Sequence, residues 1–281
     1  NAVGGEFRIN TSDNPSGEFI PSVAMNDAGA FVVAWQDNFG GNLYAQRYDA
    51  AGAAVGAEIL VASAMGSSLD PGLDIGIDAT GGFVVAWGSS GGSDSDGVYV
   101  RRYDAAGNAL AAAQLVNQVT ASAQFDPSIA VRGDGSFVVS WTSQSQDADG
   151  LYGVYARRFD TAGAALDNEV LVNTVETDDQ HQSSVATTAD GGFIVTWTTG
   201  AINTNVAGQR FDAAGARLSG EFTINTNTGG AAYGSSVAVS AGGQVIVVWE
   251  SEPQDGSGAG VYRQRYTLAE ASDRSVSFVE D

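Results

Sequence analysis

The 281-residue sequence contains no cysteine and no lysine, and it has one histidine, His181. The lack of cysteine excludes disulfides, thiol nucleophiles and thiolate metal sites. A single histidine in an acidic stretch, with no serine–histidine–aspartate order or metal-ligand cluster around it, does not support a catalytic triad or a zinc site. No run of about 18 apolar residues occurs, so we expect no membrane insertion.

Positive charge is scarce. All 12 basic residues are arginine, 33 residues are acidic, and the formal net charge is −21. Such a surface repels nucleic acid and anionic lipid, whereas it is compatible with divalent cations. An acidic, cysteine-free chain that is rich in small residues is typical of bacterial secreted proteins. The composition therefore predicts a secreted or cell-surface location and no nucleic-acid partner.

Five copies of one motif contain all five tryptophans. The copies GAFVVAW, GGFVVAW, GSFVVSW, GGFIVTW and GQVIVVW recur every 52 to 56 residues and end at Trp35, Trp87, Trp141, Trp197 and Trp249. A fixed period of this size indicates a propeller, a solenoid or an array of small domains.

Each repeat contains four strand-like segments, which we call a, b, c and d. In the first repeat they are EFRIN (6–10), PSVAMN (21–26), the tryptophan segment and LYAQRYD (43–49). They are rich in β-branched and aromatic residues and are bounded by Gly and Asp. Short Asp/Gly turns join b to c and d to the next a, which predicts hairpins and the sheet order b-c-d-a.

The ends of the pattern suggest how the sheets assemble. The sequence begins with an unpartnered a segment and ends with b, c and d of the fifth repeat. We therefore predict an all-β, five-bladed β-propeller of four-stranded antiparallel blades, in which Glu6–Asn10 pairs with Val261–Tyr266 and closes the last blade. A stacked array of β-sandwich repeats is the alternative. The predicted domain is 1–267, with repeats at about 1–55, 56–110, 111–166, 167–218 and 219–267, and 268–281 is a linker toward a further domain.

The long polar a–b and c–d links should gather at one end of the blades, where function is expected. Aromatic residues beside those links could stack on sugars, and acidic residues could bind sugar hydroxyls. The candidate ligand-binding residues are Tyr44, Tyr99, Tyr155, Tyr262, Asp37, Asp96, Asp149 and Asp255. In the alternative interpretation, the aromatic residues only pack between the blades.

Two links resemble part of a calcium-binding loop. They read Asp-Ser-Asp-Gly and Asp-Ala-Asp-Gly, and the candidate metal ligands are Asp94, Asp96, Asp147 and Asp149. A complete EF-hand is excluded, because its twelfth position would be Ala105 and not glutamate. Solvated acidic turns are the alternative, and no other cofactor is expected.

The combined pattern GGFVVAW…VYARRFD…GEFTIN resembles the tandem repeats, about 50 residues long, of large secreted bacterial RTX/calcium-binding adhesin-like proteins. The resemblance covers residues 1 to about 267. It implies a cell-surface or secreted location, a larger multidomain chain and calcium nearby. It does not imply a ligand, and RTX nonapeptides are absent from the sequence.

Repetition and the polar links together predict a non-catalytic module that binds glycans or other cell-surface ligands, and no enzymatic activity. A purely structural spacer domain is one alternative. A propeller-type glycosidase is another, but hydrolysis requires two carboxyl groups near the innermost strands. One position of the b segment is equivalent in all five repeats, and it is occupied by Ser22, Asp74, Ser128, Ser184 and Ser236, so it supplies one carboxyl group.

Overall fold

The computed structural model describes residues 4–11, 17–37, 41–63, 72–90, 96–201, 204–252 and 258–267. Within these ranges the chain forms nineteen strands in five antiparallel sheets. The same ranges contain no helix that is long and apolar enough to cross a membrane.

Each sheet is one blade, and its strands follow one another in chain order. Blade one contains β1 (Glu18–Met25), β2 (Phe31–Asp37), β3 (Leu43–Tyr48) and β4 (Ala54–Ala62). Blade two contains β5 (Leu73–Ile77), β6 (Phe83–Ser90), β7 (Asp96–Tyr103) and β8 (Gln114–Leu115). Blade three contains β9 (Gln124–Val131), β10 (Phe137–Gln144), β11 (Tyr152–Phe159) and β12 (Val170–Leu171). Blade four contains β13 (Gln180–Thr187), β14 (Phe193–Thr199), β15 (Asn205–Phe211) and β16 (Phe222–Thr223), and blade five contains β17 (Ala231–Val239), β18 (Gln244–Glu252) and β19 (Gly260–Thr267).

This arrangement confirms the predicted five-bladed β-propeller and the b-c-d-a order within a blade. The first strands β1, β5, β9, β13 and β17 contact one another in sequence, so they are the inner strands. Asp/Gly turns form the short hairpins. In the d–a turn of blade one, the carboxylate of Asp49 accepts hydrogen bonds from the N–H groups of Ala51 and Ala53, and Gly52 adopts a φ of 81°.

The second strand of a blade is apolar on both sides because the blade packs between two neighbours. In β10, Phe137, Val139 and Trp141 pack against blade two, and Val138 packs against blade four. We call the side that carries the tryptophan the tryptophan face, and the opposite side the leading face. The core therefore consists of separate layers between successive blades.

The N-terminal segment does not form the predicted closing strand. Residues 5–10 have no strand pairing, and the fifth sheet has three strands within the described residues. The segment instead lies against the tryptophan face of blade one, where the ring of Phe7 is 5.6 Å from that of Tyr48. The Tyr48 hydroxyl donates a hydrogen bond to the carbonyl of Ile9 at 3.3 Å. Closure of the ring stays a prediction, and the linker predicted at 268–281 lies outside the described residues.

Candidate functional site

The long links and the first residues of the inner strands lie at the same end of the blades, as predicted. In blade one, the first residue of β1, Glu18, pairs with the last residue of β2, Asp37. In blade four, Gln180 and Thr199 pair in the same way. The end of the molecule that carries the variable polar segments is therefore also the end at which the inner strands begin.

A backbone irregularity occurs in every inner strand at this end. In each blade, the residue two positions before Ser22, Asp74 or their equivalent has a positive φ. These residues are Ile20 at 44°, Gly72 at 71°, Asp126 at 51°, Gln182 at 55° and Gly234 at 64°. Strand registers shift at this point in blades one, three, four and five. Bulges change the direction of side chains, and strained non-glycine residues concentrate at functional sites. The repeated bulge therefore indicates that the candidate site lies at the end of the propeller where the inner strands begin.

Asp74 supplies the one carboxyl group at an inner-strand position that is serine in the other four blades. Its two oxygens accept hydrogen bonds from the hydroxyls of Ser22 at 3.0 Å and Ser128 at 3.2 Å. They also accept the N–H groups of Ile75 at 2.8 Å and Ile129 at 2.9 Å. The four donors favour the anion, but burial is the larger effect and raises the pKa of Asp74. Asp74 therefore keeps its proton to a higher pH than an ordinary aspartate does.

Asp126 lies near the start of β9, the inner strand adjacent to that of Asp74. It is two residues from Ser128, which contacts the Asp74 carboxylate. Its backbone is also close to Gly72: a Cβ atom on that glycine would lie 2.7 Å from the Cα of Asp126. The bulge thus brings the backbone of a second acidic residue, Asp126, close to Gly72, two residues before Asp74, although Asp126 is not at the position that aligns with Asp74 in the repeats. Glycine occurs at two of the five bulge positions, 72 and 234. This was the signal in the sequence that could have indicated the bulge, and with it the position of Asp126.

Replacing Gly72 with alanine is expected to destabilise the fold by about 1–3 kcal/mol. The new Cβ would lie at 2.7 Å from the Cα of Asp126 and at 2.8 Å from Cδ of Pro127, and the φ of 71° is unfavourable for alanine. Thermal unfolding measures the loss. Gly234→Ala is a matched control, because it has a similar φ of 64° but no atom within 4 Å of its added Cβ. Equal effects of the two substitutions would show that contact with Asp126 contributes nothing.

The four tyrosines predicted to bind ligands lie next to the tryptophans of their blades. Tyr44, Tyr99 and Tyr155 stack on Trp35, Trp87 and Trp141, with ring centroids 6.1, 6.0 and 6.3 Å apart. Tyr262 pairs with Trp249 across β18 and β19. Tyr155 is 5 % exposed. These positions place the rings between blades, and a ligand-binding role for them stays a prediction.

The acidic residues predicted as their partners are dispersed over several links. Asp37 accepts hydrogen bonds from the backbone and the side-chain amide of Asn42, next to Tyr44. Asp149 is exposed and accepts the N–H of Leu151 at 3.0 Å. Asp255, Asp94 and the side chain of Asp96 lie outside the described residues. Among the side chains that the structure describes, no three acidic or histidine residues form a metal-binding group. Calcium binding therefore stays a prediction.

Asp147 has an unusual environment within the c–d link of blade three. Both of its carboxylate oxygens are buried and have no hydrogen-bond partner among the described residues. One of them lies beside Gly153 and the ring of Tyr155. Burial, followed by the neighbouring carboxylates of Asp149 and Glu176, raises the pKa of Asp147 to about 6. The charged form of Asp147 therefore opposes folding.

Stability should consequently fall as the pH rises from about 4 to about 6. The folded state binds the Asp147 proton more tightly than the unfolded state does, so this contribution is present at low pH and is lost through a pKa of about 6. We expect Asp147→Asn to melt at a higher temperature than the wild type at pH 7.5 and at a similar temperature at pH 4. Asp134→Asn is a control, because hydrogen bonds from Ser136 lower the pKa of Asp134. A wild-type advantage over Asp147→Asn at pH 7.5 would contradict the expectation.

Comparisons with known proteins identify the fold. No family model and no curated protein matches the sequence. A protein of unknown function from Dyadobacter fermentans has a TM-score of 0.59 at 12% identity, over 88% of this chain and 76% of that chain. An α-L-arabinanase from Penicillium chrysogenum, solved with arabinobiose, has a TM-score of 0.55 at 10% identity, over 89% and 81%. The α-L-arabinofuranosidase of Fusarium graminearum, also solved with arabinobiose, has a TM-score of 0.55 at 10% identity, over 91% and 82%.

These similarities correct the function predicted from the sequence. The prediction of a non-catalytic binding module without enzymatic activity is wrong by this comparison, because the similar structures with named activities are glycosidases. Repetition was a misleading guide, since five similar blades can still carry one asymmetric site. At about 10% identity the comparison itself shows only the propeller fold.

Proposed function

We propose that this chain is a β-propeller glycosidase that cleaves arabinose-containing glycans. The observation that carries the proposal is the presence of two carboxyl residues, Asp74 and Asp126, on adjacent inner strands at the end of the propeller that carries the long links. The α-L-arabinanase from Penicillium chrysogenum and the α-L-arabinofuranosidase of Fusarium graminearum have a similar fold.

Two carboxyl groups are what glycoside hydrolysis requires. One donates a proton to the leaving oxygen, and the other acts as a base on water or as a nucleophile at the anomeric carbon. We assign the acid role to Asp74, because burial raises its pKa, as the role of a general acid requires. Ser22 and Ser128 orient its carboxyl group through hydrogen bonds. Asp126 takes the second role.

The charge of the chain restricts the substrate class. A net charge of −21 repels polyuronates and other acidic polysaccharides, so neutral pentose polymers suit this surface better. We further propose a secreted or cell-surface location, since a polymeric substrate is then accessible.

The decisive test is an activity assay on the intact chain. Linear arabinan and an aryl α-L-arabinofuranoside are incubated with the protein, and reducing ends or aryl alcohol are measured, with polygalacturonate as the acidic control. We expect release from the arabinose-containing substrates and none from polygalacturonate. Binding of arabinan without any release from either substrate would contradict the proposal.

A further inference from the structure

The five bulge positions differ in the residue that they carry. Glycine adopts a positive φ without strain, and it occupies the position in blades two and five, as Gly72 and Gly234. Ile20, Asp126 and Gln182 adopt φ angles of 44°, 51° and 55° there, although a Cβ atom makes such angles unfavourable. Backbone strain of this kind points to a role of the side chain. A role has been assigned above to Asp126, but none to Gln182.

The fold itself does not require a side chain at position 182. Gln182 is exposed, and its backbone N–H donates a hydrogen bond to Thr142 Oγ1 of blade three at 3.2 Å. One blade further on, Gly234 donates the same bond to Thr198 Oγ1 of blade four at 3.1 Å. A glycine at 182 would therefore keep this contact between blades and would remove the strain.

A hydrogen bond orients the carboxamide of Gln182. Thr198 Oγ1 donates to Gln182 Oε1 at 3.3 Å. The amide nitrogen has two further hydrogens to donate, and no residue that the structure describes accepts them. Binding sites for small polar molecules use a few oriented groups of this type to fix the position of the ligand. The exposed amide is therefore suited to bind a hydroxyl group of a neutral sugar.

Gln182 lies next to the part of the inner strands that carries Asp126. The strands β9 and β13 contact each other. Thr142, which accepts the N–H of Gln182, pairs with Phe125, and Phe125 directly precedes Asp126. A sugar that contacts Asp126 thus has Gln182 as its neighbour on the side of blade four.

We propose that the carboxamide of Gln182 binds a hydroxyl group of the sugar held at Asp126 and thereby determines which sugar is accepted. The inference rests on the proposed glycosidase function, because the sugar is that of the substrate. A site that binds a particular hydroxyl group discriminates against sugars that lack it or present it elsewhere. The strained backbone at Gln182 is retained because glycine cannot supply this contact.

The histidine residue supplies a native probe of the site. His181 is the one histidine of the chain, and it directly precedes Gln182. Its Nδ1 atom lies 3.4 Å from the carbonyl oxygen of Thr198. Burial lowers the pKa of His181, although Asp179 opposes this effect, so the imidazole is neutral at pH 7.5. The NMR signals of its ring protons can therefore report binding to the intact chain.

Arabinobiose and xylobiose are titrated into the wild type, Gln182→Gly and Gln182→Met at pH 7.5. We expect arabinobiose to shift the His181 signals of the wild type. Both substitutions should raise the Kd for arabinobiose about 5- to 10-fold, as the loss of one hydrogen bond predicts, and should affect xylobiose less. Gln182→Gly should melt within about 2 °C of the wild type, because relief of the positive φ offsets the greater freedom of glycine in the unfolded chain.

Ser122→Gly is the matched control for the release of strain. Ser122 is an exposed residue of the a–b link in blade three with a φ of 66°, and its substitution should leave the Kd unchanged. Two results would overturn the proposal. One is a folded Gln182→Gly protein that binds arabinobiose as tightly as the wild type, and the other is a wild type whose His181 signals do not respond to arabinobiose.

The activity assay separates this proposal from the glycosidase function. Arabinobiose binding that depends on Gln182, without release from any arabinose-containing substrate, would contradict only the glycosidase function. Release by Gln182→Gly with the KM of the wild type would contradict only the role of Gln182.

Discussion

Hydrolysis of an aryl α-L-arabinofuranoside should slow by about 10²–10⁴-fold when Asp126 is replaced by asparagine. The amide can neither accept a proton from water nor form a glycosyl ester, so the second carboxyl function is lost. We expect kcat to carry the loss and KM to change little. Steady-state kinetics on the aryl substrate measure both constants.

The control for this experiment is Asp27→Asn. Asp27 is an exposed residue of a short hairpin, at the opposite end of the blades from Asp126. Its substitution should leave kcat unchanged, and thermal unfolding should confirm that both variants are folded. A folded Asp126→Asn protein with wild-type kcat would remove Asp126 from the mechanism.

Asp74→Asn should change the pH dependence as well as the rate. Because burial raises the pKa of Asp74, the basic limb of the pH profile should lie above the range of an ordinary aspartate, and the variant should lack that limb. Asparagine also keeps only one of the two acceptor oxygens that bind Ser22, Ser128 and two backbone N–H groups. A lower melting temperature is therefore expected together with the lost activity.

Tyr155→Ala should destabilise the protein by about 3–5 kcal/mol, which corresponds to a fall of about 10 °C in melting temperature. The ring is 5 % exposed, and it stacks on Trp141, which has no exposed surface. Its removal leaves a cavity between blades two and three. Calorimetry or circular dichroism measures the change.

Tyr155→Phe is the matched control, since it keeps the ring and should retain most of the stability. The two roles considered for this tyrosine make different predictions. A packing role requires Tyr155→Ala to melt early, whereas a sugar-stacking role requires weaker glycan binding at an unchanged melting temperature. Wild-type melting of Tyr155→Ala would exclude the packing role.

Much of the fold could be predicted because the same strand and turn sequences recur in all five repeats. The largely apolar run before each tryptophan forms the second strand, and Asp/Gly turns such as Asp49–Gly52 form the hairpins. The order b-c-d-a followed from these turns alone. The outer strands were less predictable, because β8, β12 and β16 are only two residues long. The residues that follow these strands are held by a few hydrogen bonds, such as that from the Val98 N–H to Asn117 Oδ1, and by burial against the next blade.

The candidate site could not be predicted from the alignment of the five repeats alone. Counting from the tryptophan motif aligned Asp74 with four serines and left no second carboxyl group. The bulge at Ile20, Gly72, Asp126, Gln182 and Gly234 depends on backbone dihedral angles that three non-glycine residues adopt against their local preference. Such angles depend on the packing of adjacent inner strands, so the contact of the Asp126 backbone with Gly72 was not visible in the sequence.

The sequence by itself determined the number of blades, the strand order within a blade and the end at which the long links gather, because these depend on periodicity and turn chemistry between near neighbours. The tertiary structure decided which aromatic rings are covered and which parts of the inner strands come into contact, such as the backbone of Asp126 with Gly72. Those properties depend on contacts between residues more than 50 positions apart, such as Asp74 with Ser128. Burial and backbone strain at such contacts arise only when the blades pack together.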